Sequence, residues 1–277
     1  ASRYQQMLLS LSNVDEFMSR ENETNVDKSL ISRALLRGDI VLSEVSFAYP
    51  EQSAKALNNV SLTIKQGEKV ALLGKNGSGK TSLFRLLLNF YQVDEGKVLI
   101  DNLDLRQIDV SDLRKNISYV PQNPTLFLGS IRENVLMGNS LISAEDFEEL
   151  LIDTGLSTLV QSQEMGLDLM VGELGNRLSG GQRQLVALAA GLANEANVVL
   201  LDEPTASLDQ NMEKHFIRTM KQRLREKTVI ISTHKPSILA LVDRIIIFEQ
   251  GKILIDGPKN VVLQKLAENQ KNKEGPQ

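Results

Sequence analysis

The chain of 277 residues is 42% hydrophobic and 24% charged, a composition that supports a packed core and excludes a disordered, collagen-like or staple-dependent small protein. Thirty-one Lys and Arg against thirty-five Asp and Glu leave a formal net charge of -4, so no overall basic field points to nucleic acid, and a phosphate ligand needs a local site. With no cysteine and only His215 and His234, disulfides, thiolate metal sites, a cysteine nucleophile and a histidine-rich metal cluster fall away; oxygen ligands remain for any metal, and the compartment reads as reducing.

No apolar run approaches the roughly 18 residues of a membrane helix. The chain begins at Ala1 without an initiator Met or a signal-peptide pattern, and reads as a segment of something longer that is soluble on its own. Residues 4–18 place Met7, Leu8, Leu11, Val14, Phe17 and Met18 on one helical stripe, which predicts an amphipathic helix. The polar stretch 19–37 reads as a linker, with a domain boundary near Asp39. Residues 40–49 and 56–64 are β-branched and aromatic, bounded by Pro50 and by Gln66-Gly67, and predict strands of an antiparallel lobe.

Lys69-Val-Ala-Leu-Leu73 then predicts a short buried strand that runs through a glycine-rich loop into the Leu-rich helix around 82–88. Helical periodicity dominates residues 130–194, a helical insertion beside the sheet. Val198-Val-Leu-Leu201, Thr228-Val-Ile-Ile231 and Ile245-Ile-Ile-Phe248 each follow a helical pattern, as strands of a parallel α/β sheet do. Glu249-Gln-Gly251 carries hairpin chemistry.

Gly74-Lys-Asn76-Gly77-Ser78-Gly79-Lys80-Thr81 fits the phosphate-loop pattern in full, with the strand before and helix after that the pattern requires. Its glycines turn backbone N–H groups toward phosphate oxygens, Lys80 reaches the β- and γ-phosphates, the Thr81 hydroxyl ligates Mg²⁺, and Ser82 opens the helix. Asp202 and Glu203 end an apolar strand, where a parallel sheet presents its ligands. Strand alternation points the two carboxylates in opposite directions: Asp202 suits the Mg²⁺ shell, and Glu203 suits orienting or deprotonating the attacking water. His234 closes another strand at the same edge; its residue type alone fits a structural role as well as a donor to the γ-phosphate. His215, in a helix of mixed charge, reads as a solvated face residue. Ser179, Gly180, Gly181 and Gln182 form a second glycine-rich turn that opens a helix, open to reading as an anion site or as an ordinary helix cap.

The phosphate loop, Gln122 in Val120-Pro-Gln-Asn123, the LSGGQ turn at 178–182, Asp202-Glu203-Pro-Thr, Ser207-Leu-Asp209 and His234 stand in the order and at the spacing of the ATP-binding domain of ABC transporters, which the chain resembles over about residues 40–266. The resemblance implies an α/β phosphate-loop core with a mostly parallel sheet, an antiparallel β lobe and a helical subdomain over about 125–194. Residues 1–38 then lead in from a membrane domain, 39–270 form the ATP-binding domain, and 271–277 are a polar tail.

It further implies that Tyr49 stacks on adenine, although a strand-end Tyr also fits simple packing. Gln122 joins Mg²⁺ and the γ-phosphate to the helical subdomain. Ser179, Gly180, Gly181, Gln182 and Asp209 serve ATP on a partner copy, so two chains close head to tail over two Mg-ATP. Leu126-Phe-Leu-Gly-Ser-Ile-Arg-Glu-Asn134 and Val171-Gly-Glu-Leu-Gly175 are similar to exporter segments that meet the membrane domain and cross the subunit boundary. Met170, where an acidic residue is usual, and Ala190-Gly191, where Arg-Ala is common, depart from the pattern.

Ile255-Asp-Gly-Pro-Lys259 resembles type I secretion exporters, which implies a protein or peptide cargo, the cytoplasmic face of a bacterial inner membrane, and secretion adaptor and outer-membrane partners. Drug and lipid exporters share the other motifs. A soluble ATPase of the family acting on nucleic acid or ribosomes is the rival reading; the short stretch between Gln122 and LSGGQ leaves no room for the long coiled coil such relatives carry. A nucleotide-gated module without turnover is a second rival, and the presence of Glu203 and His234 speaks against it.

Overall fold

The computed structural model describes residues 2–19, 30–32, 36–137, 139 and 141–273. Its contacts divide the chain into two compact units, Ala1–Ile31 and Ser32–Gln277. The first holds α1 (Ser2–Met18), whose side chains from Gln5 onward are exposed, Leu8 and Phe17 among them. Most of the predicted linker lies outside the described residues.

In chain order the second unit runs β1 (Ile40–Ala48), β2 (Lys55–Ile64), β3 (Lys69–Leu73), α2 (Lys80–Leu87), β4 (Glu95–Ile100), β5 (Leu103–Asp104), α3 (Val110–Asn116), β6 (Ile117–Val120), α4 (Ile131–Leu136), α5 (Ala144–Thr154), α6 (Leu156–Gln161), α7 (Gly180–Ala193), β7 (Val198–Asp202), α8 (Gln210–Arg223), β8 (Thr228–Ser232), β9 (Arg244–Glu249), β10 (Lys252–Pro258) and α9 (Lys259–Lys273). Two sheets result. One is antiparallel, in the order β2-β1-β4-β5. The other has the order β10-β9-β3-β8-β7-β6; its strands are parallel except for β10, which returns antiparallel on β9.

The apolar runs of β3, β7 and β8 are continuous because both faces of these strands are covered. Val198 and Leu200 face one core with α2 and the antiparallel sheet, while Val199 and Leu201 face the other, built on α4 to α8. Ile230 and Ile231 divide in the same way. Between α4 and α7 the only strand-like feature among the described residues is an isolated bridge from Ser130 to Met170.

Arg244 at the start of β9 ties the two sheets. Its guanidinium forks onto Asp256 of β10 through Nε and Nη2, both at 2.6 Å, while Nη1 donates to Glu68 Oε1 at 3.0 Å and to the Thr63 carbonyl at 2.9 Å. At its other end the β9–β10 hairpin reaches the phosphate loop: the Gly251 N–H donates to the Ser78 carbonyl at 3.1 Å, and the Gly251 carbonyl accepts from Asn58 at 2.8 Å.

His215 is not a solvated face residue. Its Nε2 lies 2.7 Å from the Ile152 carbonyl and its Nδ1 3.3 Å from Arg218 Nη2. Arg218 has only donors to offer, so Nδ1 accepts and Nε2 carries the proton given to Ile152, pinning α8 to α5.

Candidate nucleotide site

The parallel strands β3, β7 and β8 deliver their following residues to one edge of the sheet, and a cavity of about 370 Å³ lies there. It is lined by Asn76, Gly77, Ser78, Gly79, Lys80, Thr81 and Ser82 of the loop and first turn after β3, by Asp202 and Glu203, by Gln122 after β6, and by Tyr49 after β1. Gly74 contributes its carbonyl rather than a wall: Lys80 Nζ donates to it at 2.7 Å and to the Lys75 carbonyl at 3.1 Å.

The loop has no room for side chains at its two ends. A Cβ on Gly74 would stand 2.4 Å from the Phe248 carbonyl, and one on Gly79 would stand 2.7 Å from the Ala56 carbonyl. Gly79, at φ 110, also starts α2 in a left-handed conformation that an L side chain resists. The backbone N–H groups at this helix start are therefore held by their surroundings in a position suited to an anion.

Asp202 is the last residue of β7, and Thr81 Oγ1 donates to its Oδ2 at 2.7 Å. Burial pushes its carboxyl up from the ordinary value, with the Thr81 hydrogen bond and Lys80 opposing. Burial likewise lowers the Lys80 ammonium, against the attraction of Glu203 and Asp202. Glu203 corrects the expectation from alternation. It lies just past the strand with φ 48, and this left-handed turn brings its carboxylate into the same cavity as Asp202. Its backbone is fixed by donation to the Ser232 carbonyl at 2.9 Å. His234 Nδ1 stands 2.9 Å from Glu203 Oε2, with its ring largely exposed beside the cavity.

Tyr49 packs edge-on against Phe47 and Tyr91, at 4.9 and 5.2 Å between centroids, and its hydroxyl is 3.0 Å from Ser82 Oγ and accepts from Arg85 at 3.1 Å. Gln52, Ala54, Lys55 and Ala56 also line the cavity, as does Ser232. Sequence reasoning missed them. Only Lys55, a cation just after the aromatic position, offered a signal, and it pairs with Glu95 at 3.0 Å.

Ser179, Gly180, Gly181, Gln182 and Asp209 are not brought to this cavity. Ser179 and Gln182 close a reciprocal capping box at the start of α7, and Asp209 caps α8 through Asn211 and Met212, both at 2.9 Å. The two caps adjoin: a Cβ on Gly181 would lie 2.7 Å from the Ser207 carbonyl. They form a second group built from two helix starts, with Ser179, Gly180 and Asp209 exposed and Gly181 and Gln182 half-buried.

A parallel sheet whose edge presents a phosphate loop and paired carboxylates, with an antiparallel lobe and a helical flank, is the fold of an ABC ATPase. The chain matches the family described as "ABC transporter" over residues 57–206 and belongs to that family, as an ATPase domain. It is 36% identical over 227 residues to the "Glutathione/L-cysteine transport system ATP-binding/permease protein CydC" of Haemophilus influenzae, covering 82% of this chain and 39% of that protein. It is 32% identical over 264 residues to the "ATP-dependent lipid A-core flippase" of Escherichia coli K12, covering 95% of this chain and 45% of that protein. Among solved structures it is similar to a bacterial Atm1-family ABC exporter with ATP bound, with a TM-score of 0.87 and 27% identity over 99% of this chain and 48% of the other. The chain thus spans less than half the length of these relatives.

Proposed function

We propose that the chain is the ATP-hydrolysing motor of an ABC exporter at the cytoplasmic face of a membrane, attached through residues 1–38 to a preceding membrane domain. The observation that carries this reading is the convergence of the phosphate loop, Gln122, Asp202 and Glu203 on one cavity, while Ser179 to Gln182 and Asp209 stand in a separate group. Lys80 and the loop N–H groups bind the phosphates of ATP, and Tyr49 supports the base. Glu203 accepts the proton of the attacking water and His234 orients it, a division of work that suits an inward carboxylate with an imidazole at hydrogen-bond distance. The half-buried Thr81 hydroxyl and the buried Asp202 carboxylate, with Gln122, are a hard donor set that fits Mg²⁺. That ion would neutralise charge on the β- and γ-phosphates.

The two caps complete the site of a second copy, so two chains close head to tail over two ATP. The relatives support an exporter but not a secretion cargo: their names carry lipid A-core and glutathione or cysteine. Of residues 255–259, which carry the type I secretion resemblance, 255–258 belong to β10 paired with β9 and Lys259 opens α9. Neither a protein cargo nor a secretion adaptor or outer-membrane partner is supported by these relatives. Among the described residues no helix is long and apolar enough to cross a membrane.

The test is Glu203→Gln, which keeps size and removes the base. ATP binding is expected to persist while turnover falls at least about 100-fold, and the variant with Mg-ATP is expected to accumulate as a dimer. Near-normal turnover, or specific activity independent of dilution in a monomeric chain, overturns the reading.

A further inference from the structure

Lys235 follows His234 directly, in a position where a surface lysine would be unremarkable. Instead its side chain is 25% exposed, and its ammonium is committed twice: Nζ donates to the Thr205 carbonyl at 2.7 Å and to Glu213 Oε2 at 2.5 Å. Glu213 Oε1 in turn accepts from Ser237 Oγ at 2.5 Å. Burial works to raise the Glu213 carboxyl, and the hydrogen bonds from Lys235 and Ser237 outweigh it, leaving the group below its ordinary value.

These contacts join segments that the proposed mechanism treats separately. Thr205, 1% exposed, is two residues past Glu203. Glu213 lies in the first turn of α8, whose N-cap is Asp209. Lys235 itself is the residue after His234, and its own N–H is fixed on Thr233 Oγ1 at 3.0 Å. One cation therefore sets the spacing between the exit of β7, the residue beside Glu203, and the helix start that presents Asp209 at the surface next to Gly181.

We propose that Lys235 and Glu213 are positioning residues for hydrolysis: their ion pair holds His234 against Glu203 and locks that pair to the Asp209 helix start. This rests on the reading of Glu203 and His234 given above. Removing the ammonium leaves a carboxylate without its cation and a carbonyl without its donor, and frees the His234 segment to shift relative to Glu203. Shifts of about an ångström at reacting groups cost up to about 100-fold in rate. The phosphate loop makes none of these contacts, so nucleotide affinity stays.

The experiment compares Lys235→Met, Lys235→Arg, Glu213→Gln and the double variant Lys235→Met/Glu213→Gln in the 277-residue chain, with Glu203→Gln as reference. Lys235→Met is expected to lower kcat about tenfold with KM for ATP within about twofold of the parent. Lys235→Arg, which keeps the charge and the reach, is expected to recover most of the rate, and the double variant to be no slower than Lys235→Met because both changes break one bracket. An unchanged kcat in Lys235→Met alongside a silenced Glu203→Gln overturns the inference alone, as does a KM that rises in step with the loss of kcat. Near-normal turnover in Glu203→Gln overturns the underlying reading instead. If Lys235→Met does not fold, Glu213→Gln decides: a severalfold lower kcat at unchanged KM supports the bracket, and a normal kcat overturns it.

Discussion

Thr81 Oγ1 donates to Asp202 Oδ2 across 2.7 Å, joining the first turn of α2 to the last residue of β7. Burial raises the Asp202 carboxyl, so the native chain holds that proton to higher pH than the unfolded chain does. Its contribution to stability is complete below the ordinary carboxylate range and is lost as pH rises through the raised value. At neutral pH the buried charge is then a cost in the nucleotide-free chain, and Asp202→Asn is expected to leave the melting temperature unchanged or higher. The same variant is expected to lose the gain in ATP affinity that Mg²⁺ gives. Thermal melts across a pH series, with ATP titrations in the presence and absence of Mg²⁺, check both halves.

Tyr49 carries a second prediction. Stacking on a base needs only the ring, which makes Tyr49→Phe silent on that ground, but the hydroxyl is held between Ser82 and Arg85 and fixes how the ring stands. Tyr49→Phe is therefore expected to weaken ATP binding by about 0.5–1 kcal/mol through the lost hydrogen bonds. Tyr49→Ala is expected to lose about 1–3 kcal/mol, taking base stacking in nucleic-acid complexes as the guide. Equal affinities for Phe and Tyr in a binding titration would show that the hydroxyl is idle.

Arg244 spans both sheets with two carboxylates and a backbone carbonyl, its side chain 21% exposed. Arg244→Ala leaves Glu68 and Asp256 facing each other without a cation, and is expected to cost about 2 kcal/mol of unfolding free energy. Arg244→Lys keeps the charge but not the fork, and is expected to recover less than half. Denaturant unfolding of the three proteins measures this directly.

His215 supplies a control away from the cavity. Its donation to the Ile152 carbonyl pins α8 on α5, so His215→Ala is expected to cost about 1 kcal/mol of stability and to leave ATP turnover at parent level. A fall in turnover without a fall in melting temperature would contradict the purely structural role.

What was legible in the sequence follows from how each feature is encoded. β3, β7 and β8 are doubly buried, so their apolar runs stand out, and the loop from Gly74 to Thr81 is spelled by residues that no other backbone path requires. β4 opens on exposed Glu95, Gly96 and Lys97, and β6 is only four residues long with Ser118 inside it, so neither shows a strand pattern. Entry into β1 depends on Asp101, whose carboxylate accepts from the N–H groups of Arg37, Gly38 and Asp39; such distant capping leaves no local mark. Alternation misled at Glu203 because it holds only inside a strand, and the left-handed residue just past β7 resets the direction. The role of Lys235 was invisible for a related reason: its partners come from the exit of β7 and from α8.

Hairpin tips on a protein surface are ordinarily where a chain accepts extra residues, and the turn at 250–251 has the composition of such a place. Here the tip is stitched to Ser78 and Asn58 through the backbone of Gly251, so lengthening it would pull on the phosphate loop from behind. A peptide tag or a domain fused at that turn is expected to abolish nucleotide binding even where the chain still folds. Leu141, 92% exposed, is the better point of attachment for a label that must report on the enzyme without disarming it.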